Sequence, residues 1–376
     1  VYLSFVKNYY VKTIHQIEPS LGNEEKKELM DVIDSGWFTE SKKTKEFERR
    51  FAEFTKCKYA CAITSGTVGL YLGLLAMNIK KNDQVIVPDL TFVASPNAIE
   101  GMGAKPVLCD IEKDTLNLDL EKIEKKITKK TKAIMIVNFN GRTTNMEHLN
   151  EIAKKYNLKL IEDAAHSLGS YYKNTHQGTN SDVGVFSFST PKIITTGQGG
   201  MIVTNDKNIY EKCLSLKDFG RESGAKKDMK KSFMHGTIGY NFKFTEFQAA
   251  VGIAQMKKLK SRIKRKKEMF KIYKEFLSQI EEIEFVDTDI KKITPWMIDI
   301  FFNKNKVRGE AVNYLAKNNI GTRIFYPPIH SLPPYRSNNK KFMISTDISK
   351  RGLWMPSSTT LTDNELEYVC KKIKEL

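Results

Sequence analysis

Short apolar runs alternate with amphipathic segments between about residues 24 and 220 of the chain. Helical spacing of the apolar positions is clearest at residues 120–127 and 146–156. Alternating strands and helices predict an α/β domain, and strands rich in β-branched residues indicate a mainly parallel sheet that is buried on both faces. The predicted strands are residues 59–64, 84–88, 105–111, 132–139, 158–165, 182–189 and 199–205.

The C-terminal part of the chain has a different pattern. A long basic helical segment extends from about residue 243 to 280, and shorter strand and helix patterns follow it. We therefore predict two domains, a large one over residues 15–255 and a smaller α+β domain over residues 256–376. The small domain is predicted to contain strands at 282–287 and 296–302 and helices at 309–319 and 363–376.

Composition and cysteine content narrow the class of protein. No window of 18 uncharged apolar residues is present, so no membrane-spanning helix is predicted. Residues 1–12 lack a small-residue cleavage site and are not predicted to be a signal peptide. The five cysteines form no C-x-x-C pair, which predicts reduced thiols in a cytoplasmic protein and no metal site.

A net charge of +17 raises the question of nucleic-acid binding. The only dense basic run is residues 257–268, and the other lysines are spread along the chain without RNP-like aromatics or finger spacings. This distribution favours a solvated helix face, or steering of an anionic substrate, over a nucleic-acid partner.

Three segments place chemically useful residues where strands end, and ligands of parallel sheets bind beyond these ends. The first is Thr64-Ser65-Gly66-Thr67, which opens an apolar helix. Backbone N–H groups at a helix N-terminus suit a phosphate, although Ser-Gly-Thr is also an ordinary helix cap.

The second segment runs from Ile161 to His166, where a buried strand leads into Glu162 and Asp163. An Asp there could pair with a cofactor pyridinium N–H or could cap the following turn.

The third segment, residues 186–200, contains Lys192 between a buried strand and a Gly-rich turn, with no acid nearby in sequence. A lysine in such surroundings can have a lowered pKa and serve as an imine-forming amine. Ser187 could add a hydroxyl donor to a phosphate. A fourth segment, residues 239–250, is a loop that leads into a helix with small residues for close packing.

With these segments in view, the chain resembles the DegT/DnrJ/EryC1/StrS family of sugar aminotransferases, from about residue 15 to the C-terminus. The motifs appear in family order: S-G-T, P-x-x-T-F, E-D-x-A-H, F-S-F-x-x-x-K-x-x-T-T-G-x-G-G and G-Y-N-x-x-x-T. The resemblance implies the fold-type I aminotransferase architecture, with pyridoxal 5'-phosphate as the cofactor. It also implies a homodimer with shared active sites.

The resemblance also implies roles for individual residues. Lys192 would form the internal aldimine, and Asp163 would contact the pyridine nitrogen. Phe92 would stack on the cofactor ring and His166 would lie beside it. The cofactor phosphate would be bound by Ser65, Gly66, Thr67 and Ser187, and by Asn241 of the neighbouring subunit.

The substrate is less closely defined. Residues 18–54 most resemble the perosamine-synthase-like C4 aminotransferases, which implies transfer from L-glutamate to a nucleotide-linked 4-keto-6-deoxy sugar. Arg323, Tyr326 and His330 match a loop that family members use near the sugar nucleotide. GDP-4-keto-6-deoxymannose is the first choice, and dTDP-4-keto-6-deoxyglucose or a 3-keto sugar remains an alternative.

Two other functions remain as alternative hypotheses. The 3-dehydratases of the family replace the aldimine lysine with histidine, and Lys192 counts against that activity. A non-catalytic binding protein could also keep the fold. The chain departs from the usual family pattern at Gln198, which is usually Glu, and at residues 138–141, where N-F-N-G replaces H-x-Y-G.

Overall fold

The computed structural model describes residues 13–222, 233–337 and 339–376. Residues 1–12, which are not predicted to be a signal peptide, lie outside these ranges. The helices are α1 (Asn23–Ser35), α2 (Lys42–Thr55), α3 (Gly66–Ala76), α4 (Ala94–Glu100), α5 (Leu120–Ile123), α6 (Met146–Tyr156), α7 (Lys207–Lys217), α8 (Glu246–Leu277), α9 (Asn305–Lys317), α10 (Met343–Arg351) and α11 (Asp363–Lys374).

The strands belong to a large sheet, a small sheet and a short hairpin. The large sheet contains β1 (Tyr59–Ile63), β2 (Gln84–Pro88), β3 (Lys105–Cys109), β4 (Thr131–Val137), β5 (Lys159–Asp163), β8 (Val183–Ser187) and β9 (Gly200–Thr204). The hairpin is β6 (Tyr171–Tyr172) with β7 (Thr175–His176), and the small sheet contains β10 (Ile283–Glu284), β11 (Asp299–Phe302), β12 (Arg323–Ile324) and β13 (Gly352–Trp354).

All seven strands predicted for the large domain are confirmed. They form one sheet in the order β1-β9-β8-β5-β4-β2-β3, in which only β9 runs against the others. The mainly parallel α/β class is therefore confirmed. The helix predicted at residues 120–127 is shorter than expected, because α5 is followed by a 3-10 turn over Glu124–Lys126.

Helices cover both faces of the large sheet, as the strand sequences require. Along β8, Val183 and Val185 pack with α3 and α7, whereas Phe186 faces the opposite side, where α2 and α8 lie. The alternation follows from the two-residue period of a strand. It explains why these strands read as continuous apolar runs rather than as an apolar–polar alternation.

Helix α3 approaches the sheet unusually closely because two glycines face it. A Cβ atom added at Gly69 would lie 2.6 Å from Val185 Cγ1, and one added at Gly73 would lie 2.9 Å from Val183 Cγ1. A larger residue at either position would push the helix outward. The glycines therefore fix the N-terminus of α3 beside the ends of β1 and β8.

The C-terminal region predicted as the small domain contains the antiparallel sheet β10-β11-β13-β12. Its predicted strand at residues 282–287 is reduced to two residues, Ile283–Glu284. Helix α8 packs against α1, α2 and α11 and so contacts both parts of the chain. The boundary between residues 255 and 256 falls inside this helix, and the two-domain division stays a prediction.

The basic run at residues 257–268 lies on α8 and is only partly the solvated face that the sequence suggested. Lys257, Lys260 and Lys264 are exposed, but Arg262 and Lys266 are buried. The two buried cations donate to backbone carbonyl oxygens of neighbouring segments, which compensates for the loss of water.

Within the described ranges, no helix is long and apolar enough to cross a bilayer.

A buried ion pair joins the two sheets. Arg142 follows β4, and its Nη2 atom lies 2.6 Å from both carboxylate oxygens of Asp299 on β11. Both side chains are at most 2% exposed. The Arg142 Nε atom also donates to the Thr288 hydroxyl at 3.2 Å. Removal of one partner would leave the other charge buried without compensation.

We expect Arg142→Ala to lower the free energy of unfolding by about 3–5 kcal/mol, because Asp299 then stays buried and unpaired. The measurement is chemical denaturation followed by circular dichroism. The matched control is Lys155→Ala, which removes the exposed Lys155–Glu124 pair and should produce no resolvable change. Equal effects of the two substitutions would contradict the role assigned to the buried pair.

Candidate active site

The predicted site residues gather at one edge of the large sheet. Asp163 ends β5, Ser187 ends β8, and Ser65 follows β1 at the same edge. Parallel strands bring their carboxyl ends together, and the antiparallel strand β9 begins there with Gly200. The pairing of Gly200 with both Ser187 and Ile63 fixes the register of these ends.

Lys192 lies on the loop between β8 and β9, and backbone hydrogen bonds close this loop at its base. The Phe188 N–H donates to the Gly199 carbonyl at 2.9 Å, and the Thr196 N–H donates to the Phe188 carbonyl at 3.0 Å. Side chains from elsewhere hold the loop at two further carbonyl oxygens. Trp296 Nε1 donates to Pro191 at 2.8 Å, and Arg262 Nη1 donates to Ile193 at 2.9 Å.

The surroundings of Lys192 favour the neutral amine. Burial lowers the pKa of Lys192 to about 7, since the ammonium form loses its hydration. The negative charge of Asp163 opposes this shift, and the positive charge of Arg323 adds to it. The Nζ atom also lies 3.9 Å from the centre of the Trp296 ring. An amine with a pKa near 7 can act both as a nucleophile and as a proton carrier at neutral pH.

Asp163 is 7% exposed and accepts two hydrogen bonds. The Ser95 hydroxyl donates to Oδ2 at 2.8 Å, and the Ala165 N–H donates to Oδ1 at 3.2 Å. Burial nevertheless raises the pKa of Asp163, and these hydrogen bonds and Lys192 only partly offset that shift. The carboxylate thus caps the turn after β5, as one sequence reading proposed, and still lies beside the lysine.

Glu162 has a different task from its neighbour Asp163. The period of the strand turns its carboxylate to the other side, where it is fully buried. There it accepts hydrogen bonds from the Asn138 side chain at 2.8 Å and from the Gly178 N–H at 2.7 Å. Glu162 therefore holds the segment between β7 and β8 beside the end of β4, and of the two acids Asp163 is the one that lies toward Lys192.

The predicted phosphate site is a narrow cradle at the start of α3. Ser65 caps the helix by accepting from the Val68 N–H at 3.2 Å. A Cβ atom added at Gly66 would lie 3.1 Å from Ser187 Cβ, so the two residues are in close contact. A Cβ atom added at Gly200 would lie 2.7 Å from the Ser65 carbonyl carbon. The helix cap and the predicted phosphate site are therefore formed by the same residues.

Aromatic side chains form the wall of the site on the small-domain side. Phe92 is 51% exposed, and its ring lies 5.4 Å from that of Tyr326. Tyr326 also packs edge-on against Trp354 at 4.8 Å. His166 stacks on Trp296 with 3.9 Å between the ring centres and 21° between the planes. Flat apolar faces of this kind suit a planar ring.

Burial lowers the pKa of His166 well below its usual value, so the ring is neutral at pH 7. Its Nδ1 atom is buried and has no hydrogen-bond partner among the described residues. Buried polar atoms are seldom left unpaired in folded proteins. The atom is therefore available to a group that enters the site.

The three residues predicted to contact the substrate have different surroundings. Arg323 on β12 is exposed, and its charge acts on Lys192 and on Tyr326. His330 is instead 1% exposed, and its Nδ1 atom lies 2.6 Å from Asp89 Oδ2. The His330 N–H also donates to Asp89 Oδ1 at 2.8 Å. His330 thus ties its loop to the end of β2, and direct contact with a substrate stays a prediction.

Thr67 and Asn241 have exposed side chains. Asn241 lies on the loop before α8, where its backbone bridges to Asp218. An exposed amide at this place leaves the group free to reach a neighbouring molecule. Its predicted role across a dimer is not tested by a single chain.

Sequence reasoning missed two residues of the site. Ser95 lies on α4, fully buried, and its hydroxyl lies between Asp163 and the Thr91 hydroxyl at 2.8 Å and 2.9 Å. Ser95 lies three residues after the Phe of the P-x-x-T-F motif, and this closeness to a predicted site residue is a local indication of its role. Trp296 comes from the small domain, more than a hundred residues after Lys192, and nothing in the local sequence indicates the contact.

The two departures from the usual family motifs lie beside the site. Gln198 is exposed, and its carbonyl accepts a hydrogen bond from Gln248 Nε2 at 2.7 Å. Asn138 binds Glu162, and Asn140 exchanges hydrogen bonds with the Met297 backbone at 2.7 Å and 2.8 Å. Asn140 takes a left-handed conformation (φ 54°), which Asn tolerates better than most residues.

Comparison with known proteins agrees with this geometry. The sequence matches the DegT/DnrJ/EryC1/StrS aminotransferase family over residues 19–374. The GDP-perosamine synthase of Escherichia coli O157:H7 is 39% identical, over 97% of this chain and 99% of that protein. The GDP-perosamine synthase of Vibrio cholerae is 37% identical, over 95% of this chain and 97% of that protein.

A solved structure extends the likeness to three dimensions. The Spr1654 protein of Streptococcus pneumoniae in its PMP form has a TM-score of 0.88 and 26% identity, with 96% of this chain and 98% of that chain covered. The same protein in its PLP form gives a TM-score of 0.88 as well. The chain belongs to the DegT/DnrJ/EryC1/StrS aminotransferase family.

The described residues fit pyridoxal phosphate. The cradle of Ser65, Gly66 and Ser187 offers N–H and hydroxyl donors to a phosphate, and added Cβ atoms would obstruct it. The Nδ1 atom of His166 is unpaired, and the rings of His166 and Phe92 both lie near that of Tyr326. The donor set therefore suits a planar, phosphate-bearing aldehyde.

Asp163 and Arg323 carry opposite charges, so removing each charge should shift the pKa of Lys192 in opposite directions. Asp163→Asn removes the charge that favours the ammonium form, so the pKa of Lys192 should fall below about 7. Arg323→Gln removes a repelling cation, so the same pKa should rise. The measurement is the pH dependence of trace acetylation of Lys192 in the cofactor-free protein, read by peptide mass spectrometry. Shifts in the same direction, or none, would contradict this account.

Proposed function

We propose that this chain is a pyridoxal-phosphate-dependent aminotransferase that moves an amino group from L-glutamate to the 4-keto carbon of a nucleotide-linked 4-keto-6-deoxyhexose. GDP-4-keto-6-deoxymannose is the first choice, with GDP-perosamine as the product. The observation that carries the aminotransferase proposal is Lys192, a desolvated amine with a pKa of about 7 beside the carboxylate of Asp163. The substrate rests on the nearly full-length similarity to two GDP-perosamine synthases.

Lys192 has two tasks in this proposal. Its Nζ atom would hold the cofactor covalently, and when not bonded to it the same atom would accept and return the proton that is moved during amino transfer. When bound, pyridoxal phosphate supplies an electron sink for the carbon that loses the proton. A pKa near 7 suits proton transfer in both directions, because neither protonation state is strongly disfavoured.

Asp163 would accept a hydrogen bond from the pyridine nitrogen and keep it protonated. The Ser95 hydroxyl holds one carboxylate oxygen and the Ala165 N–H holds the other, so the orientation of the carboxylate is set before the cofactor binds. A buried carboxylate is costly by itself, and a cationic ring nitrogen would compensate for that cost. The Ser95 hydroxyl acts as a positioning group in this arrangement.

The open side of the site would receive both substrates. Arg323 is an exposed cation whose charge lowers the pKa of Lys192. Its guanidinium suits a carboxylate or a phosphate oxygen. Tyr326 and Phe92 offer an apolar surface beside it. The net charge of +17 would help to attract a diphosphate-linked sugar.

A homodimer with shared sites is part of the proposal. Asn241 would reach the cofactor phosphate of the partner subunit, in agreement with its exposure here. Large apolar side chains are also exposed near the start of α8, where the ring of Phe38 stacks on that of Phe247 at 5.1 Å.

The five cysteines are all buried and unpaired, which supports a reducing compartment such as the cytoplasm.

We expect the purified protein to be yellow with pyridoxal phosphate, to lose that absorbance when L-glutamate is added, and to regain it with a keto-sugar nucleotide. Borohydride reduction should fix the cofactor to Lys192 and not to Lys266, which has a similarly lowered pKa of about 7 but is 1% exposed. Lys192→Ala should lose turnover. A variant that transaminates as fast as the wild type would overturn the proposal.

A substrate panel separates the remaining alternatives. We expect amine formation from GDP-4-keto-6-deoxymannose to exceed that from dTDP-4-keto-6-deoxyglucose and from 3-keto sugar nucleotides, measured as 2-oxoglutarate release and by product mass. Preference for the dTDP sugar would point to viosamine synthesis, and the aminotransferase assignment would stand. Deoxygenation without amine transfer would instead indicate a dehydratase, and binding without turnover would indicate a non-catalytic relative.

A further inference from the structure

A buried tryptophan of the small domain lies directly under the reactive lysine. Trp296 is 2% exposed, and its ring centre lies 3.9 Å from Lys192 Nζ. The same ring stacks against His166 at 3.9 Å. No carboxylate within the described ranges lies within ion-pair distance of Lys192, so this aromatic face is the nearest group that favours a cation.

The position of Trp296 is fixed by contacts on several sides. The ring N–H donates to the Pro191 carbonyl at 2.8 Å, directly before Lys192 in the chain. The Trp296 carbonyl accepts from Lys266 Nζ at 2.6 Å, which attaches it to α8. Trp354 packs edge-on against the ring with 5.7 Å between centres. The indole therefore cannot rotate away without losing its hydrogen bond to Pro191 and its ring contacts with Trp354 and His166.

An aromatic face differs from a carboxylate as a partner for a lysine. The electron-rich face attracts an ammonium ion, but it forms no directed hydrogen bond that would hold the side chain in place. A neutral amine can therefore leave it at little cost. Such a partner suits a lysine that must alternate between a charged resting state and a reactive neutral one.

We propose that Trp296 is a positioning residue for Lys192, whose indole face holds the amine at a defined resting place inside the site when the amine is not bonded to the cofactor. The ring N–H bond to the Pro191 carbonyl keeps the lysine loop and the face in register. The proposal rests on the function proposed for Lys192. It adds a contribution of the small domain to the chemistry of a lysine that belongs to the large sheet.

The test uses trace acetylation of Lys192 across a pH series in the cofactor-free, full-length protein. Trp296→Leu removes the face, so the ammonium form loses its attraction and the labelling midpoint should fall by about half a pH unit or more. Trp296→Phe keeps a weaker face and should give a smaller fall. An unchanged or higher midpoint would show that Trp296 only fills space or excludes water, and would overturn the proposal.

The matched control is Trp354→Leu, which removes an equally buried indole from the same aromatic cluster. It should destabilise the fold to a similar degree but lower the midpoint of Lys192 clearly less, because the hydrogen bond to Pro191 and the stack on His166 still hold the Trp296 face in place. An equal fall in both leucine variants would overturn the proposal, because the effect would then come from general loosening of the cluster.

A second measurement avoids any change of shape and serves if Trp296→Leu does not fold. Biosynthetic replacement of the three tryptophans by fluorinated tryptophan weakens the negative potential of the ring face. The midpoint should fall as the number of fluorine atoms increases, and no trend would overturn the proposal. The readout needs no turnover, so it can fail while aminotransfer is still observed, and it can succeed if the substrate assignment is wrong.

Discussion

The removal of the Lys192 amine from water is the constraint on which the rest of this structure depends. Desolvation makes the amine usable near neutral pH, yet an uncompensated buried cation would destabilise the fold. The carboxylate of Asp163 and the ring face of Trp296 both favour the ammonium form. Neither forms a hydrogen bond that would hold the amine in place. A salt bridge at hydrogen-bond distance would have raised the pKa and immobilised the side chain. The loop that carries the lysine is accordingly held through its backbone, by Trp296 and Arg262.

The topology of the large sheet supplies the groups around that lysine. The parallel strands β1, β5 and β8 end at one edge, so the helix cap at Ser65, the carboxylate of Asp163 and the hydroxyl of Ser187 come together although they are far apart in sequence. The antiparallel strand β9 returns the chain to the same edge and places Gly200 against the cap. Such a site requires the register of the four strands β1, β5, β8 and β9, and the glycines of α3 allow that helix to pack closely on the sheet.

The C-terminal region, predicted as a small domain, contributes side chains to the candidate site. It contributes Trp296, Arg323 and Tyr326, and its attachment involves buried charges on both sides. Arg142 reaches Asp299 from one end of the interface, and Asp89 holds His330 and the Ser345 hydroxyl at the other. Buried polar contacts of this kind specify one relative placement more strictly than an apolar interface would. The distance between the lysine and its aromatic face therefore depends on contacts made far from it.

The sequence by itself determined the class of the protein and predicted most of the residues of the candidate site. Strand and helix periodicity predicted the seven strands, and the family motifs pointed to Lys192, Asp163 and the Ser65–Thr67 turn, because each belongs to a local pattern with a local physical reason. Only the tertiary structure decided the partners of those residues. Ser95, Trp296 and the buried role of His330 come from contacts between segments that are distant along the chain, and such contacts leave no periodic signal. For the same reason the basic run of α8 looked solvated in sequence, whereas the fold buries Arg262 and Lys266 against backbone carbonyls.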